Sequence, residues 1–191
     1  MKNLIILAHP DINNSNYNRY ILNEVKGVPG TKVNNIYSLY KNFKIDAESE
    51  KKDLLSAERI IFQFPLLWYG EPSLLKTWEE LVLSPDLCSG PLGDKLKGKG
   101  FSISVTGGGS LEEYERKGMN YKADDLWKPF IYLAKYCLMN FESIIYTRVP
   151  YISGDIDGGC SDEVKRVMRP HVDKMLELLR RPNVLSNKDI F

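Results

Sequence analysis

Cysteine and histidine are scarce in this chain of 191 residues, which contains three cysteines and two histidines. The cysteines, Cys88, Cys137 and Cys160, are odd in number and widely spaced, which suits reduced thiols better than a disulfide framework. No CxxC pair and no Cys/His spacing typical of a metal site occurs. The sequence therefore disfavours a disulfide-stapled secreted domain and predicts no bound metal.

The chain also lacks a large excess of positive or negative charge. Lysine and arginine total 26 against 25 for aspartate and glutamate, which gives a net charge of +1. A nucleic-acid-binding protein usually has a broad basic field, and a strongly acidic electron carrier has the opposite, so both classes are disfavoured. The chain has no run of ~18 apolar residues and no signal-peptide cleavage pattern, so we expect a cytoplasmic protein.

Five apolar runs, each followed by a segment with helical spacing, make up most of the chain. The predicted strands cover residues 4–8, 32–38, 59–64, 101–105 and 143–149. Alternating strands and helices favour a parallel sheet with helices on both faces, because crossovers between parallel strands are right-handed. We predict a single domain over residues 1–191, with a doubly wound five-stranded sheet in the order 2-1-3-4-5.

Two of the predicted helices have clear apolar stripes. The helix after the third strand is predicted to bury Leu74, Leu75, Trp78, Leu81 and Val82. The helix after the fourth strand is predicted to bury Leu126, Trp127, Phe130, Ile131, Ala134, Cys137 and Leu138.

The loop at residues 65–71 has an unusual composition, because it is too apolar for a surface turn. Its first five residues follow the third strand directly, and they are Pro65, Leu66, Leu67, Trp68 and Tyr69. Ligands of open α/β sheets bind at this carboxyl edge. Prolines and a glycine make the backbone stiff and irregular, so we expect unpaired amides and apolar side chains that face a flat ligand. The alternative is that these side chains fill a gap in the core or contact a partner subunit.

The loop after the first strand can bind an anion. His9, Asn14, Ser15 and Asn18 lie around a helix start, where backbone amides and the helix dipole attract a phosphate. The segment matches neither GxGxxG nor GxxxxGK[ST], so a Rossmann-type nicotinamide site and an ATP site are disfavoured. The alternatives are a plain helix cap by Asn14 or Ser15 and a structural role for His9.

The loop after the fourth strand begins with Thr106, Gly107 and Gly108, where the backbone can approach a ligand without interference from side chains. Further along, Tyr114 and Asn120 can place a hydroxyl and an amide over the same cleft. The alternatives are an ordinary glycine turn and a solvated loop. All three loops follow strands whose carboxyl ends meet at one edge of the predicted sheet.

Three segments together carry a resemblance to a known family. They read LAHPDINNSNYNR at residues 7–19, QFPLLWYGEPSLLKTWEELV at residues 63–82 and TGGGSLEEYERKGMN at residues 106–120. The chain resembles the NAD(P)H:quinone oxidoreductases of the flavodoxin-like fold. These include DT-diaphorase-like enzymes and the ancillary flavoproteins of glutathione-gated potassium-efflux systems. The resemblance covers residues 2–139, and its middle segment is highly specific.

The resemblance assigns roles to the residues of the three loops. It places the flavin phosphate at His9, Ser15 and Asn18 with Asn14 beside them, the isoalloxazine ring at Pro65, Leu66, Leu67, Trp68 and Tyr69, and the pyrimidine edge at Thr106, Gly107 and Gly108. Tyr114 and Asn120 match the catalytic positions. Many members have a histidine where this chain has Asn120. An amide can hydrogen-bond a developing charge but cannot release a proton near neutral pH, so the histidine relay does not carry over.

The activity implied by the resemblance is a hydride transfer from NAD(P)H to the flavin N5 and then to a quinone or similar small acceptor. The implied cofactor is FMN, with FAD as the alternative, because the chain lacks an evident extra segment for an adenosine. The resemblance also implies a homodimer. Two alternative functions stay open: a flavin-binding regulatory subunit of a potassium-efflux transporter, and an azo- or nitro-compound reductase.

Overall fold

The computed structural model of the chain describes residues 2–88, 93–115, 122–150 and 161–182. Its strands are β1 (Asn3–Leu7), β2 (Thr31–Asn35), β3 (Arg59–Pro65), β4 (Gly100–Gly107) and β5 (Asn140–Arg148). Its helices are α1 (Asn16–Val25), α2 (Ile36–Leu39), α3 (Ala47–Ser56), α4 (Ser73–Val82), α5 (Pro85–Cys88), α6 (Leu111–Tyr114), α7 (Lys128–Tyr136) and α8 (Asp162–Arg180). Short 3-10 segments, Ile12–Asn14 and Ala123–Trp127, precede α1 and α7.

The strands form one parallel sheet in the order β2-β1-β3-β4-β5, which confirms the predicted topology. The register brings the carboxyl ends of the central strands together. Leu7 at the end of β1 lies opposite Gln63 of β3, and Pro65 at the end of β3 lies opposite Thr106 of β4. The segments that follow these three strands therefore start from the same edge of the sheet.

Side-chain alternation along the strands divides the buried residues between two layers, as expected for a sheet covered on both faces. Leu4 and Ile6 of β1 belong to the larger core, which contains Trp78 of α4 and Phe130 of α7. Ile5 belongs to the second core, which is built from α1 and α8. Each fully buried large apolar side chain stabilises the fold by ~1.5–3 kcal/mol.

Three local predictions are wrong. Leu81 on α4 is 46% exposed, whereas Glu79 on the same helix is buried. Leu138 is 49% exposed, because α7 ends at Tyr136 and Leu138 itself has a left-handed backbone with φ of 57°. The predicted strand at residues 32–38 stops at Asn35, whose side chain accepts a hydrogen bond from the amide of Ser38 and starts α2.

Among the helices in the described ranges, none combines the length and the apolar composition that crossing a bilayer requires. The longest helix, α8, contains Pro170 and spans 19 residues.

Candidate active site

The start of α1 is a capped helix terminus at the carboxyl end of β1. The Ser15 hydroxyl accepts a hydrogen bond from the amide of Asn18 at 3.2 Å, and both residues are buried. Asn14 is exposed and belongs to the preceding turn, where its side chain donates to the Asp11 carboxylate at 2.6 Å. The capping alternative is therefore correct for Ser15 and wrong for Asn14. A capped helix start still offers the positive end of the dipole to an anion, so the phosphate role stays a prediction.

His9 presents one ring nitrogen to the loop backbone. Its Nδ1 accepts a hydrogen bond from the amide of Asp11 at 3.1 Å. Burial lowers the pKa of His9 below its ordinary value, although the Asp11 carboxylate acts in the opposite direction. A neutral ring that accepts at Nδ1 has its proton on Nε2, so His9 has one N–H to donate.

A buried polar network ties the start of α1 to β3 and β4. The Asn18 side-chain amide donates to the Thr106 hydroxyl at 2.9 Å, and the Gln63 side-chain amide donates to the Asn18 carbonyl at 3.3 Å. Oδ1 of Asn18 and Oε1 of Gln63 are buried and have no donor within the described part of the chain. Buried acceptors without a donor are costly, so the network fits a ligand that brings hydroxyl groups. Gln63 was missed, although a glutamine inside an apolar strand was a visible signal.

The loop after β3 is a tight turn held by its own backbone. Leu67 and Gly70 exchange two hydrogen bonds, of 2.9 and 3.1 Å, around Trp68 and Tyr69. Both central residues have left-handed backbone, with φ of 49° and 68°, which is costly for non-glycine residues. The amide of Leu66 donates to the carbonyl of Thr106 at 2.8 Å. The expectation that the loop amides face a ligand is therefore wrong for Leu66, Leu67 and Gly70.

The aromatic side chains of this turn point away from the core. Trp68 is 96% exposed and Tyr69 is 67% exposed, whereas Leu66 packs against the larger core. The core-filling alternative is therefore wrong for the two aromatic residues. A strained turn that displays two aromatic rings at the carboxyl edge is suited to a flat ligand or to a partner surface.

The glycines after β4 differ in what surrounds them. A Cβ on Gly107 would lie 2.6 Å from the Tyr146 hydroxyl, and a Cβ on Gly109 would lie 2.7 Å from the Tyr114 ring. A Cβ on Gly108 would meet no atom of the described residues within 4 Å. Gly107 and Gly109 therefore make room for tyrosines, and Gly108 is the one whose open side can admit a ligand.

Tyr114 lies between the two loops that the sequence predicts around the ring. Its ring centroid is 6.0 Å from that of Tyr69 and 6.5 Å from that of Tyr146. The Tyr114 oxygen accepts from the amide of Gly109 at 3.2 Å, and the Tyr146 hydroxyl donates to the carbonyl of Gly109 at 2.5 Å. The Tyr146 hydroxyl is also the donor in its 3.5 Å contact with the Tyr114 oxygen, so the proton of Tyr114 can be donated to a ligand.

Tyr146 was missed by the sequence reasoning. Burial, with a smaller contribution from the hydrogen bond to Tyr114, raises the pKa of Tyr146 well above its ordinary value. The available signal was its place on the last strand, where it pairs with Val105, the residue before Thr106. Asn120 lies outside the described residues. Within the described ranges, no group of three or more metal-binding side chains comes together.

Comparisons with known proteins agree with this geometry. Residues 1–157 match the Flavodoxin_2 family, which is described as a flavodoxin-like fold. The chain is 39% identical over 142 residues to YrkL of Bacillus subtilis, an uncharacterised NAD(P)H oxidoreductase, and the match covers 74% of this chain and 82% of YrkL. It is 36% identical over 148 residues to KefG of Erwinia tasmaniensis, an ancillary protein of a glutathione-regulated potassium-efflux system, with 76% and 80% covered.

A solved structure of another protein has a similar fold. The general stress protein 14 of Treponema denticola, determined in complex with FMN, superposes with a TM-score of 0.80 at 28% identity. The superposition covers 94% of this chain and 100% of that protein. The family match over most of the chain, the relatives and the shared sheet order lead to one conclusion: the chain belongs to the Flavodoxin_2 family of flavodoxin-like proteins.

Proposed function

We propose that this chain is an FMN-dependent NAD(P)H oxidoreductase that transfers hydride from NAD(P)H to a quinone or similar small acceptor. The observation that carries this proposal is the junction of the three loops at one edge of the sheet. Asn18 bonds to Thr106, and Tyr69 packs against Tyr114, so the helix start and the aromatic turn both adjoin the end of β4 and the loop that follows it. The NAD(P)H oxidoreductase among the relatives and the FMN complex of the stress protein support the same function.

The residues present fit an FMN molecule. His9, Ser15 and Asn18 at the start of α1 would hold the phosphate, with Asn14 beside them. The acceptors Asn18 Oδ1 and Gln63 Oε1 suit the hydroxyls of a ribityl chain. Residues 65–69 would hold the ring, and Thr106, Gly107 and Gly108 would hold its pyrimidine edge. FMN bound there supplies the centre that accepts and returns a hydride.

The protein's own contribution is orientation, exclusion of water and hydrogen bonding. Trp68 and Tyr69 provide flat apolar surface for the nicotinamide and then for the acceptor, which use the same slot in turn. Tyr114 can donate its proton toward negative charge that develops on the acceptor, because Gly109 and Tyr146 hold its ring in place. We propose that Asn120 adds a second neutral donor at this position.

The direct test is to identify the flavin and measure turnover. The purified protein should be yellow, and chromatography of the released flavin should give FMN rather than FAD. Stopped-flow mixing with NADH or NADPH should bleach the flavin absorbance, and addition of a soluble quinone should restore it. A protein that stays colourless after incubation with excess FMN and FAD would remove the basis of the proposal.

A second candidate function is that of a flavin-binding regulatory subunit of a potassium-efflux transporter, which the similarity to KefG favours. It predicts tight FMN binding with negligible steady-state oxidation of NAD(P)H, so the turnover assay separates the two functions. An azo- or nitro-compound reductase would use the same cleft. A panel of quinone, azo and nitro acceptors, compared by kcat/KM, distinguishes such a reductase from a quinone reductase.

We also propose that the protein is a single domain that acts in the cytoplasm as a homodimer. Trp68, Tyr69, Tyr132 and Tyr136 are exposed aromatic residues, and a second copy would cover surface of this kind. Light scattering after size exclusion should give twice the monomer mass of 21.9 kDa. Trp68→Ser should shift the mass toward the monomer if Trp68 lies in that interface.

A further inference from the structure

Two of the three cysteines lie side by side in the core. Cys88 ends α5 and Cys137 directly follows α7, and their sulfur atoms are 2.9 Å apart although the residues are 49 positions apart in the chain. Both side chains are buried, and neither is part of a disulfide. A disulfide has an S–S distance of ~2.05 Å, so the sulfurs need to move together by only ~1 Å to form a bond.

A cavity lies beside the helix that leads to Cys137. It has a volume of about 290 Å³, lies between α4 and α7, and reaches Tyr136, the chain neighbour of Cys137. Glu79 also lines it, and the charge of Glu79 acts on the Cys137 thiol. One Glu79 oxygen accepts from Lys76 at 2.7 Å, while Oε1 has no donor in the described part of the chain. Neither sulfur lines the cavity, but the cavity reaches the chain neighbour of Cys137 and has a proton acceptor on its wall.

Cys137 is held in its thiol form by its surroundings. The hydrogen bond with Cys88, followed by burial, raises the pKa of the Cys137 thiol. The thiolate is the reactive form, so Cys137 reacts more slowly than an exposed cysteine with a lowered pKa. Such a pair is unsuited to rapid catalytic turnover but can record sustained exposure to an oxidant.

We propose that Cys88 and Cys137 form a redox modification site, which a hydroperoxide converts into an intramolecular disulfide. One sulfur attacks a peroxide oxygen, the O–O bond breaks, and the products are a sulfenic acid and an alcohol, or water when the oxidant is hydrogen peroxide. The other sulfur then displaces the hydroxyl group as water and forms the S–S bond. The two thiols lose two electrons and two protons, and the hydroperoxide gains both.

The disulfide would join the segment after α4 to the end of α7. Gly98, in the same connection between α4 and β4, donates its amide to the carbonyl of Leu138, so the two segments already pack together in the reduced protein. A bond between residues so far apart in sequence restricts the unfolded chain, and the oxidised protein should be more resistant to heat. This inference does not depend on flavin binding.

The test treats reduced wild-type protein with hydrogen peroxide after the reductant has been removed. The thiol titre in denaturant should fall from three to one, and the intact mass should fall by two hydrogen atoms. Peptide mapping without reduction should give a Cys88 peptide linked to a Cys137 peptide. The melting temperature should rise by ~5–10 °C and return to its first value with dithiothreitol.

Variants supply the controls. Cys160→Ser should keep the linked peptide and the rise in melting temperature, whereas Cys88→Ala and Cys137→Ala should lose both. The wild-type peptide map decides the question even if a core variant fails to fold. Three thiols after treatment, a link that involves Cys160, or sulfinic acid at Cys88 or Cys137 would each overturn the proposal.

Discussion

The side-chain amide of Asn18 donates a hydrogen bond to the hydroxyl of Thr106 at 2.9 Å, between residues 88 positions apart in the chain. Both residues are almost fully buried. The bond fixes the first turn of α1 against the end of β4, and it therefore sets the spacing between the proposed phosphate site and the proposed pyrimidine edge.

Thr106→Val should lower the free energy of unfolding by ~1–3 kcal/mol, because it leaves the buried Asn18 amide without its acceptor. It should also weaken FMN binding, since Asn18 loses its orientation. Urea unfolding of the apoprotein and fluorescence titration with FMN measure the two effects. Thr147→Val is the matched control, because Thr147 bonds to His171 rather than to Asn18. Equal losses of FMN affinity in both variants would show that the effect is general to the sheet.

Ser15→Asp and Ser15→Asn separate charge from shape at the start of α1. Both new side chains can cap a helix, so both variants should fold like the wild type. Only the aspartate repels a phosphate, and we expect FMN to bind at least ~10-fold more weakly to Ser15→Asp than to Ser15→Asn. Equal affinities, measured by titration of the apoprotein, would place the phosphate elsewhere.

Gly108→Ala and Gly109→Ala should affect different properties, the first FMN affinity and the second stability. An added methyl group at residue 108 points into open space, so the apoprotein should keep its stability but bind FMN more weakly if the ring edge lies there. A methyl group at residue 109 meets the Tyr114 ring, so Gly109→Ala should displace that ring and lower the melting temperature. A Gly108→Ala variant with wild-type FMN affinity would contradict the proposed position of the pyrimidine edge.

The order of the sheet could be predicted because each strand and helix has a strong local pattern, and parallel crossovers allow few topologies. The identity of the contacts could not. Asn18 and Thr106 were both singled out, but their hydrogen bond depends on the register of β4 against its neighbours. Tyr146 and Gln63 were missed, because each is a single polar group within a strand whose role appears only when the strands are adjacent.

Burial on the helices was predicted least well where a polar residue is buried and a nearby apolar residue is exposed. Glu79 is buried and Leu81 is exposed on α4, the reverse of what hydropathy predicts. The buried Glu79 carboxylate faces the cavity beside α7 and accepts a hydrogen bond from Lys76, a partner that hydropathy does not register. The proximity of Cys88 and Cys137 was likewise invisible in the sequence, because their spacing fits no known motif.

The stability of the protein should depend on pH through His171. Burial, with a smaller effect of Lys174, lowers its pKa from 6.5 to about 4, while Ser104 and Thr147 bond to its two ring nitrogens. The unfolded chain takes up a proton near pH 6.5 and the folded chain does not, so His171 contributes stability above pH 6.5 that is lost as the pH falls toward 4. The difference in free energy of unfolding between the wild type and His171→Gln should therefore be smaller at pH 4 than at pH 7.5, by up to ~3 kcal/mol.

Glu79 should make the stability of the protein depend on pH in the direction opposite to His171. Burial, opposed by Lys76, raises its pKa from 4.5 to about 7, so its contribution is full below pH 4.5 and is lost as the pH rises through 7. Glu79→Gln should be more stable than the wild type by ~1–3 kcal/mol at pH 8, and this advantage should disappear below pH 4.5. Urea unfolding across pH 4 to 8 measures both variants. Differences from the wild type that stay constant with pH would contradict the assignment.

The resemblance in sequence places Asn120 where many members of the family have a histidine, and this correspondence is a prediction that substitution can test. Asn120→His should introduce an ionisable group near the flavin, and the quinone reductase rate should gain a pH dependence at ~6–7. Asn120→Ala should lower kcat by about tenfold or less, the value of one modest hydrogen bond. No change in either variant would place residue 120 away from the chemistry.

The turn of residues 67–70 is held by two hydrogen bonds between Leu67 and Gly70. Backbone bonds of this kind keep the turn ordered, so a ring that binds against it, as proposed, should cost little conformational entropy in the protein. Reconstitution with FMN should be fast and should need no refolding. The two tip positions can also be exchanged for other residues that tolerate a left-handed backbone, such as asparagine, which offers a way to change acceptor preference without rebuilding the fold.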